Sequence, residues 1–285
     1  MIGRLCVIGV GLIGGSLALA LRRAGVVEEV VGAGRDDNHL GTAVALGLID
    51  RFDTNLARAA ANADMVVLAV PLGAMYSVCN AIRQDLNPDA VLTDVGSAKQ
   101  AVVDVVRTTF GKLPACFVPG HPIAGTERSG VEAAFADLYR GRRVILTPQP
   151  YTSRMAIRAV KAMWEDAGAL VEEMDIGHHD RILAATSHLP HMLAFALVDS
   201  LARLDERAEI FRYAAGGFRD FTRIASSDPV MWRDICLANS EAILDMMRRY
   251  SYDLDLIADA IAKRDGEQLL RVFKRAKQSR DRLVV

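Results

Sequence analysis

The sequence predicts an α/β fold in which a doubly wound parallel sheet is followed by an all-α domain. Three observations support this prediction. Short β-rich runs alternate with helical patterns through the first half of the 285 residues, the first run leads into a glycine-rich turn, and the second half keeps helical spacing alone. A chain of this length can build a hydrophobic core in each of two domains.

The predicted strands are short runs without alternating polarity. They cover residues 5–8, 30–33, 65–70, 90–94, 116–118 and 143–146. Between the first four lie segments long enough for crossover helices, such as residues 12–22 and 74–85. Continuously apolar strands that are separated by helices indicate a parallel sheet that is covered on both faces.

The pattern changes at a Pro-Gln-Pro segment, residues 148–150, which cannot continue a central strand. Beyond it apolar residues recur with helical spacing, as at Ile157 and Trp164, and we expect no further strand. We therefore predict a dinucleotide-binding domain at residues 1–149 and an α-helical domain at residues 150–285.

Composition narrows the classes of function. The net charge is −1, which gives no global argument for binding nucleic acid or an anionic membrane surface. No uninterrupted apolar stretch approaches the length of a membrane span, and the apolar N-terminus is broken by glycines and lacks the basic leader of a signal peptide. The four cysteines are scattered, which predicts reduced thiols. We expect a cytoplasmic protein with a small-molecule substrate.

The first predicted strand is followed by a turn of the form GxGxxG. It reads Gly9-Val10-Gly11-Leu12-Ile13-Gly14 and opens the first helix. Such glycines allow a tight turn at Gly9, close approach of a pyrophosphate at Gly11 and close helix–strand packing at Gly14. The positive end of the helix then faces the phosphates. The sequence predicts a Rossmann-like domain whose dinucleotide also contacts Leu12 and Ile13.

The position that usually carries a ribose-binding acid lies about 20 residues further on. Here it is Gly34, at the end of the second predicted strand, and Arg35 follows it. Loss of the acid removes a repulsion against a 2′-phosphate, and a guanidinium could pair with one. The alternative is a surface arginine beside Asp36 and Asp37. We expect Gly34 and Arg35 at the cofactor and favour NADP over NAD.

Three polar segments follow predicted strands. They are residues 70–72, 94–99 and 120–127. Ligands of open parallel sheets bind beyond the carboxyl ends of the strands, so these segments should converge on one crevice, with Val70 and Pro71 at the cofactor. His121 lies between Gly120 and Pro122, which leave the backbone few alternatives. We predict a functional role for this imidazole.

The helical half holds two further polar clusters. Residues 187–191 place two imidazoles around a proline, and residues 216–223 combine two glycines with Arg219 and Arg223. A metal site is a rival explanation for the histidines, but no carboxylate or cysteine at zinc-like spacing accompanies them. The arginines could lie on a solvated helix face, although the flanking glycines and phenylalanines favour carboxylate binding. Trp232 is by default a core or interface residue.

These motifs resemble those of the prephenate dehydrogenase family. The matching segments are HPIAGTERSG (121–130), SHLPH (187–191) and GGFRDFTRIASSDPVMW (216–232), in this order behind the glycine turn. The resemblance implies oxidative decarboxylation of prephenate to 4-hydroxyphenylpyruvate, with hydride transfer to NAD(P), on the route to tyrosine. It also implies a helical domain that forms a homodimer and an active site between the two domains.

The resemblance assigns roles to individual residues. His121 matches a catalytic histidine that engages the substrate hydroxyl, and Ser97 matches a serine near both His121 and the nicotinamide. His191 matches a histidine associated with the substrate side chain, and Arg223 matches an arginine that binds a substrate carboxylate. The implied entrance, pocket or interface positions are Thr126, Glu127, Gly216, Asp220 and Trp232.

Three alternatives stay open at this stage. The substrate could be arogenate, alone or with prephenate as in a cyclohexadienyl dehydrogenase, although His191 offers nothing to the added cationic amine. A β-hydroxyacid dehydrogenase would need a catalytic lysine in a glycine-bearing helix motif, which is absent around Lys161 and Lys263. A non-catalytic dinucleotide sensor would not require His121, Ser97 and Arg223 together.

Overall fold

The computed structural model describes residues 1–283, and the chain separates into a unit Met1–Ser240 and a second unit that begins at Glu241. The strands are β1 (Ile2–Ile8), β2 (Val27–Ala33), β3 (Arg51–Asp53), β4 (Met65–Leu68), β5 (Val91–Asp94), β6 (Phe117–Val118), β7 (Gly120–Pro122), β8 (Arg143–Leu146) and β9 (Leu170–Glu173).

Helices supply most of the remaining structure. They are α1 (Leu12–Ala24), α2 (Asp37–Ala45), α3 (Leu56–Ala60), α4 (Met75–Ile82), α5 (Lys99–Phe110), α6 (Arg154–Asp166), α7 (Ile176–Leu183), α8 (Leu189–Ala202), α9 (Arg207–Arg212), α10 (Gly216–Thr222), α11 (Pro229–Ala238), α12 (Ser240–Ala262) and α13 (Gly266–Arg282). A π-helical turn, Ala184–His188, joins α7 to α8, and a 3-10 turn, Arg223–Ser226, follows α10.

Six strands form the parallel sheet that the sequence predicts. Their order is β3-β2-β1-β4-β5-β6, and every neighbouring pair is parallel. The chain therefore winds outward from β1 in both directions, and the loops after β1, β4 and β5 leave the same edge of the sheet. The doubly wound fold is confirmed.

Both faces of this sheet are buried. Along β1 the side chains of Leu5 and Val7 enter one apolar cluster, and those of Cys6 and Ile8 enter the other. Helices α1 and α6 contribute to the first cluster, and α4 and α5 contribute to the second. Because each face packs against helices, the strands need no polar side, which explains their continuously apolar sequences.

A smaller sheet corrects one prediction. Strand β8 pairs antiparallel with β7 and parallel with β9, so the expectation that no strand follows residue 149 is wrong. The sequence showed no sign of β9 because the strand has no buried apolar run. Glu172 and Glu173 are acidic, and Leu170 is 57% exposed. Helix α6 also belongs to the first core, where Trp164 is fully buried and contacts Tyr139 edge to face. We propose that the domain boundary lies near Met174 and not at residue 149.

One helical stretch has the length and apolar composition of a membrane span. Residues Ile176–Ala202 run continuously through α7, the π-helical turn and α8 with a mean hydropathy of 1.3, although Asp180 and Arg181 interrupt the apolar sequence. The stretch also carries buried polar side chains, namely His179, Asp180 and His188. π-helical turns are frequent at functional sites, so the turn indicates that this helix contributes to a functional site.

Candidate active site

The glycine turn between β1 and α1 fits a pyrophosphate. Gly9 has φ of 99°, and a Cβ there would lie 2.3 Å from the Ala69 carbonyl oxygen. A Cβ on Gly14 would lie 2.4 Å from the Gly9 carbonyl oxygen, whereas a Cβ on Gly11 would meet nothing within 4 Å. No side chain caps the first turn of α1. The fold itself requires Gly9 and Gly14, and Gly11 faces open space before a helix N-terminus that can bind an anion.

The other predicted cofactor residues surround this turn. Val70 lies against Gly9, since its Cγ1 is 3.0 Å from the position of a Gly9 Cβ. Pro71 follows on the exposed surface, and Leu12 is buried in the first core. The carbonyl of Ile13 accepts a 2.6 Å hydrogen bond from the Tyr139 hydroxyl.

Gly34 and Arg35 follow β2 beside the turn. A Cβ on Gly34 would make ordinary contacts of 3.7 Å with the side chain of Leu40. Packing therefore does not demand a glycine there. The Arg35 side chain is exposed, so its guanidinium can reach a ligand at this edge.

Asp36 is largely committed to the fold. Its Oδ1 accepts hydrogen bonds from the backbone N–H groups of Asn38 (2.9 Å) and His39 (3.1 Å) and so caps α2. The His39 Nε2–H donates to the Val10 carbonyl at 2.7 Å, which ties α2 to the glycine turn. These bonds leave Asp36 one carboxylate oxygen for a ribose.

A buried ion pair joins the ends of β5 and β7. Lys99 Nζ lies 2.5 Å from Asp94 Oδ2 and donates to the Gly120 carbonyl at 2.6 Å, and both charged side chains are fully buried. Asp94 also accepts from the N–H groups of Gly96 (2.7 Å) and Gly120 (3.2 Å). Burial lowers the pKa of Lys99 against the opposing attraction of Asp94. The pair fixes the loop of Ser97 relative to the strand of His121.

His121 starts a chain of buried hydrogen bonds. Its Nδ1 lies 2.9 Å from His179 Nε2, and His179 Nδ1 lies 2.8 Å from Asp180 Oδ1. Asp180 in turn accepts from the backbone N–H groups of Lys99 (2.9 Å) and Gln100 (3.0 Å), at the first turn of α5. His121 Nε2 makes no hydrogen bond among residues 1–283 and is not closed off from solvent.

The electrostatics of this chain favour a neutral His121. Burial lowers its pKa well below the ordinary value, and the positive charges that His179, Lys99 and His188 carry or can acquire act in the same direction. Burial alone would raise the pKa of Asp180, but the hydrogen bonds from His179 and from the α5 backbone outweigh it and lower the pKa. An imidazole that is neutral near pH 7 can accept a proton there.

A second buried chain leads from Asp180 to His188. The Asn239 Nδ2 group lies 2.9 Å from the Asp180 carbonyl oxygen and 3.1 Å from His188 Nδ1. A carbonyl can only accept, so this Asn239 atom is the amide nitrogen and His188 Nδ1 accepts from it. His188 Nε2 therefore bears the hydrogen, and it is buried without a partner in the described chain.

His191 packs on Trp232 through a nearly parallel stack with 3.7 Å between ring centroids. Its Nδ1–H donates to the Ser187 carbonyl at 2.9 Å, one turn back along the helix. Burial lowers the pKa of His191. Trp232, which is 6% exposed, also contacts His188 edge to face, so the tryptophan holds both imidazoles of the 187–191 cluster.

The predicted anion-binding arginine has a partner from another loop. The guanidinium of Arg223 forms an ion pair with the carboxylate of Glu127, in the segment after β7. Thr126 closes a turn with Arg128 at the same place. The pair brings together two residues that are predicted to bind the substrate and that lie far apart in the sequence.

Some predicted residues are not drawn into these networks. Gly216 and Asp220 are exposed on α10, and their predicted roles stay predictions. Conversely, His179, Asp180 and Asn239 are central to the site but were not predicted. The available signal for His179 and Asp180 was a pair of histidines followed by an acid at the start of an apolar helix. Among residues 1–283, no group of three or more His, Cys, Asp or Glu side chains is placed to hold a metal ion.

Comparisons with known proteins show the family to which the chain is similar. A family model described as prephenate dehydrogenase, nucleotide-binding domain, matches residues 17–173, and one described as prephenate dehydrogenase, dimerization domain, matches residues 175–275. The chain is 39% identical to cyclohexadienyl dehydrogenase of Zymomonas mobilis, over 97% of this chain and 94% of that protein. It is 37% identical to prephenate dehydrogenase of Bacillus subtilis, over 96% and 74% of the two chains.

A solved structure is also similar over almost the whole chain. It is prephenate dehydrogenase from A. aeolicus in complex with hydroxyphenyl propionate and NAD+. The TM-score is 0.93 at 38% identity, and the similarity covers 99% of each chain.

Proposed function

The chain belongs to the prephenate dehydrogenase family, and on that premise we propose that it converts prephenate to 4-hydroxyphenylpyruvate and carbon dioxide, a step in tyrosine biosynthesis. The observation that carries the proposal is His121. It combines a depressed pKa, a buried hydrogen-bonded Nδ1 and an open Nε2, beside the loop that holds Ser97. These are the properties of a proton acceptor for an alcohol that is being oxidised.

His121 Nε2 accepts the proton of the ring hydroxyl as the carbonyl forms. NAD(P), when bound, supplies the acceptor for the hydride that leaves the hydroxyl-bearing carbon. Ser97 lies half-buried in the loop that Asp94 ties to the His121 strand, so its hydroxyl can orient the same substrate oxygen. Loss of carbon dioxide makes the ring aromatic, and the protein need only align the reacting groups, accept a proton and hold two carboxylates.

Local positive charge holds the substrate, because the chain as a whole is nearly neutral. We assign one carboxylate of prephenate to Arg223, which exchanges Glu127 for the ligand. His191 lies on the helix that carries His188 and binds the pyruvyl arm. Its stacking on Trp232 fixes the imidazole plane, so the side chain loses less rotamer freedom when the substrate binds.

The cofactor is a nicotinamide dinucleotide, and we propose that NADP is accepted at least as well as NAD. Three features support this preference. Gly34 carries no carboxylate against a 2′-phosphate, Arg35 is exposed beside it, and one oxygen of Asp36 is occupied in capping α2. We further propose a homodimer, since residues 175–275 match a dimerization domain. An enzyme that consumes a nucleotide cofactor in biosynthesis fits the predicted cytoplasmic location.

A second candidate is a cyclohexadienyl dehydrogenase that also oxidises arogenate. The similarity to the Zymomonas mobilis enzyme of that name favours it. The two substrates differ only in the side arm, which the His191 end of the site would contact.

An absorbance assay of nicotinamide reduction tests these proposals together. It uses prephenate or arogenate as the substrate and NAD or NADP as the cofactor. We expect turnover of prephenate with both cofactors and loss of turnover in His121→Asn. Turnover of both substrates with similar kcat/KM would establish the dual activity. Dinucleotide binding without turnover of either substrate would contradict the proposed function and favour a sensor.

A further inference from the structure

Asp180 determines where the protons lie in the buried chain behind His121. Its carboxylate can only accept, so His179 Nδ1, which lies 2.8 Å from Oδ1, must bear a hydrogen. In a neutral imidazole the other nitrogen then has only a lone pair. His179 Nε2 is therefore an acceptor, and it faces His121 Nδ1 at 2.9 Å.

The same reasoning fixes the tautomer of His121. A hydrogen bond to the lone pair of His179 Nε2 requires a hydrogen on His121 Nδ1, which leaves Nε2 of His121 unprotonated. This is the nitrogen that has no partner within residues 1–283 and that remains accessible. The opposite tautomer would present an N–H group to the substrate hydroxyl and could not take its proton.

We propose that His179 and Asp180 are positioning residues that hold His121 in the Nδ1–H tautomer and so prepare Nε2 as the proton acceptor. The proposal rests on the proposed function for its catalytic consequence. In the step itself the substrate O–H bond breaks, the proton binds His121 Nε2, and Nδ1 keeps its own proton in the bond to His179. Asp180 stays ionised throughout.

Anchoring makes this arrangement rigid. Asp180 receives hydrogen bonds from the backbone of Lys99 and Gln100 at the start of α5, so the carboxylate cannot turn away from His179. The same helix begins with the Lys99 side chain that binds the Gly120 carbonyl, one residue before His121. Both ends of the chain of hydrogen bonds are therefore held by one helix terminus.

His188 supplies an internal reference. Asn239 donates to His188 Nδ1, so the hydrogen of neutral His188 lies on Nε2. The structure thus assigns opposite tautomers to two buried histidines in one site, His121 with Nδ1–H and His188 with Nε2–H.

The first test is direct. The chain has six histidines, so 15N spectra of the histidine-labelled full-length enzyme at neutral pH contain few signals, and single substitutions assign them. We expect a protonated Nδ1 and an unprotonated Nε2 for His121 and the reverse for His188. A protonated Nε2 on neutral His121, or a doubly protonated His179, would overturn the proposal. This measurement does not depend on turnover, so it also separates failure of this inference from failure of the proposed function.

The second test compares two substitutions at one position. The side-chain carbonyl of Gln in His179→Gln can still accept from His121 Nδ1, whereas His179→Phe fills the space and cannot. We expect His179→Phe to lose kcat by about 10²–10³-fold with little change in either KM, and His179→Gln to recover most of that loss.

The adjacent His178 is exposed on the same helix, and His178→Phe is the matched control with wild-type kinetics expected. Wild-type kcat in His179→Phe, or equal losses in the Phe and Gln variants, would contradict a role in setting the tautomer. If His179→Phe does not fold, the wild-type spectra still decide.

Discussion

The Arg223 guanidinium pairs with the Glu127 carboxylate, so the protein itself occupies the side chain that we assign to a substrate carboxylate. The Arg223 side chain is 63% exposed and that of Glu127 is 36% exposed. Solvated pairs of this kind contribute at most about 1 kcal/mol, which a dianionic substrate can displace. The pair occupies the arginine until a ligand replaces the glutamate.

Replacement of Arg223 therefore tests the anchor. We expect Arg223→Ala to raise KM for prephenate by about 10–100-fold, or about 1.4–2.8 kcal/mol, with a smaller effect on kcat. Arg219→Ala, in the same segment, is the matched control and should leave KM near the wild-type value. Steady-state kinetics measure both, and an unchanged KM in Arg223→Ala would move the anchor to Arg219.

Glu127 provides the complementary measurement. Glu127→Gln removes the internal competitor while keeping the size of the side chain. We expect KM for prephenate to fall by up to about fivefold, since a solvated pair contributes at most about 1 kcal/mol. A rise in KM would instead mean that Glu127 positions Arg223 for the substrate.

The second prediction concerns proton acceptance by His121. His121→Asn keeps a polar side chain in the same space but cannot take a proton. We expect kcat to fall by about 10²–10⁴-fold while the affinity for the cofactor, measured by fluorescence titration, stays near normal. His178→Asn is the exposed control. Near-normal turnover of His121→Asn would remove this residue from the mechanism.

The buried histidines also predict how stability depends on pH. Burial, together with His179 and His191 and against the attraction of Asp180, lowers the pKa of His188 from 6.5 to about 4. The unfolded chain binds a proton near pH 6.5, whereas the folded chain resists it until about pH 4. The resulting stability is present above pH 6.5 and is lost as the pH falls toward 4, at a cost of about 3 kcal/mol. His121 contributes with the same sign.

Urea unfolding at several pH values between 4 and 7 measures this loss. We expect His188→Gln to flatten the dependence of the unfolding free energy on pH in this interval, whatever its effect at pH 7. His178→Gln should leave the dependence as in the wild type. A slope unchanged by His188→Gln would show that His188 titrates normally in the folded protein.

The apolar strands and the site motifs could be predicted because their signals are local. Five of the six strands of the main sheet came from such signals, and β3, which is only three residues long, was missed. Strand β9 and the place of α6 depend on which surface each element covers, and periodicity does not report that. His179 joins the site through a contact with His121, 58 residues away, and Asn239 reaches Asp180 across 59 residues. No pattern within one segment encodes these pairings.

Gly11 and Gly14 lie in the same turn but have contrasting surroundings, so they allow a matched pair of variants. A Cβ on Gly14 would lie 2.4 Å from the Gly9 carbonyl oxygen and 2.7 Å from Val7 Cγ1, so Gly14→Ala should destabilise the fold. A Cβ on Gly11 meets nothing within 4 Å, so Gly11→Ala should unfold at the wild-type temperature yet bind NAD(P) at least tenfold more weakly. Thermal unfolding and cofactor titration of both variants check this contrast. Normal cofactor affinity in Gly11→Ala would place the pyrophosphate elsewhere.

Cofactor choice should be set where β2 ends. A carboxylate there binds the ribose hydroxyls of NAD and repels the 2′-phosphate of NADP, and Gly34 does neither. Since a Cβ on Gly34 makes only ordinary contacts with Leu40, Gly34→Asp should fold normally and shift the ratio of kcat/KM values toward NAD by at least tenfold, about 1.4 kcal/mol. Arg35→Ala should weaken NADP selectively, because a guanidinium pairs with the phosphate but gains little from a hydroxyl. If the wild type already favours NAD tenfold, or if Arg35→Ala weakens both cofactors equally, the free oxygen of Asp36 becomes the better candidate for the ribose contact.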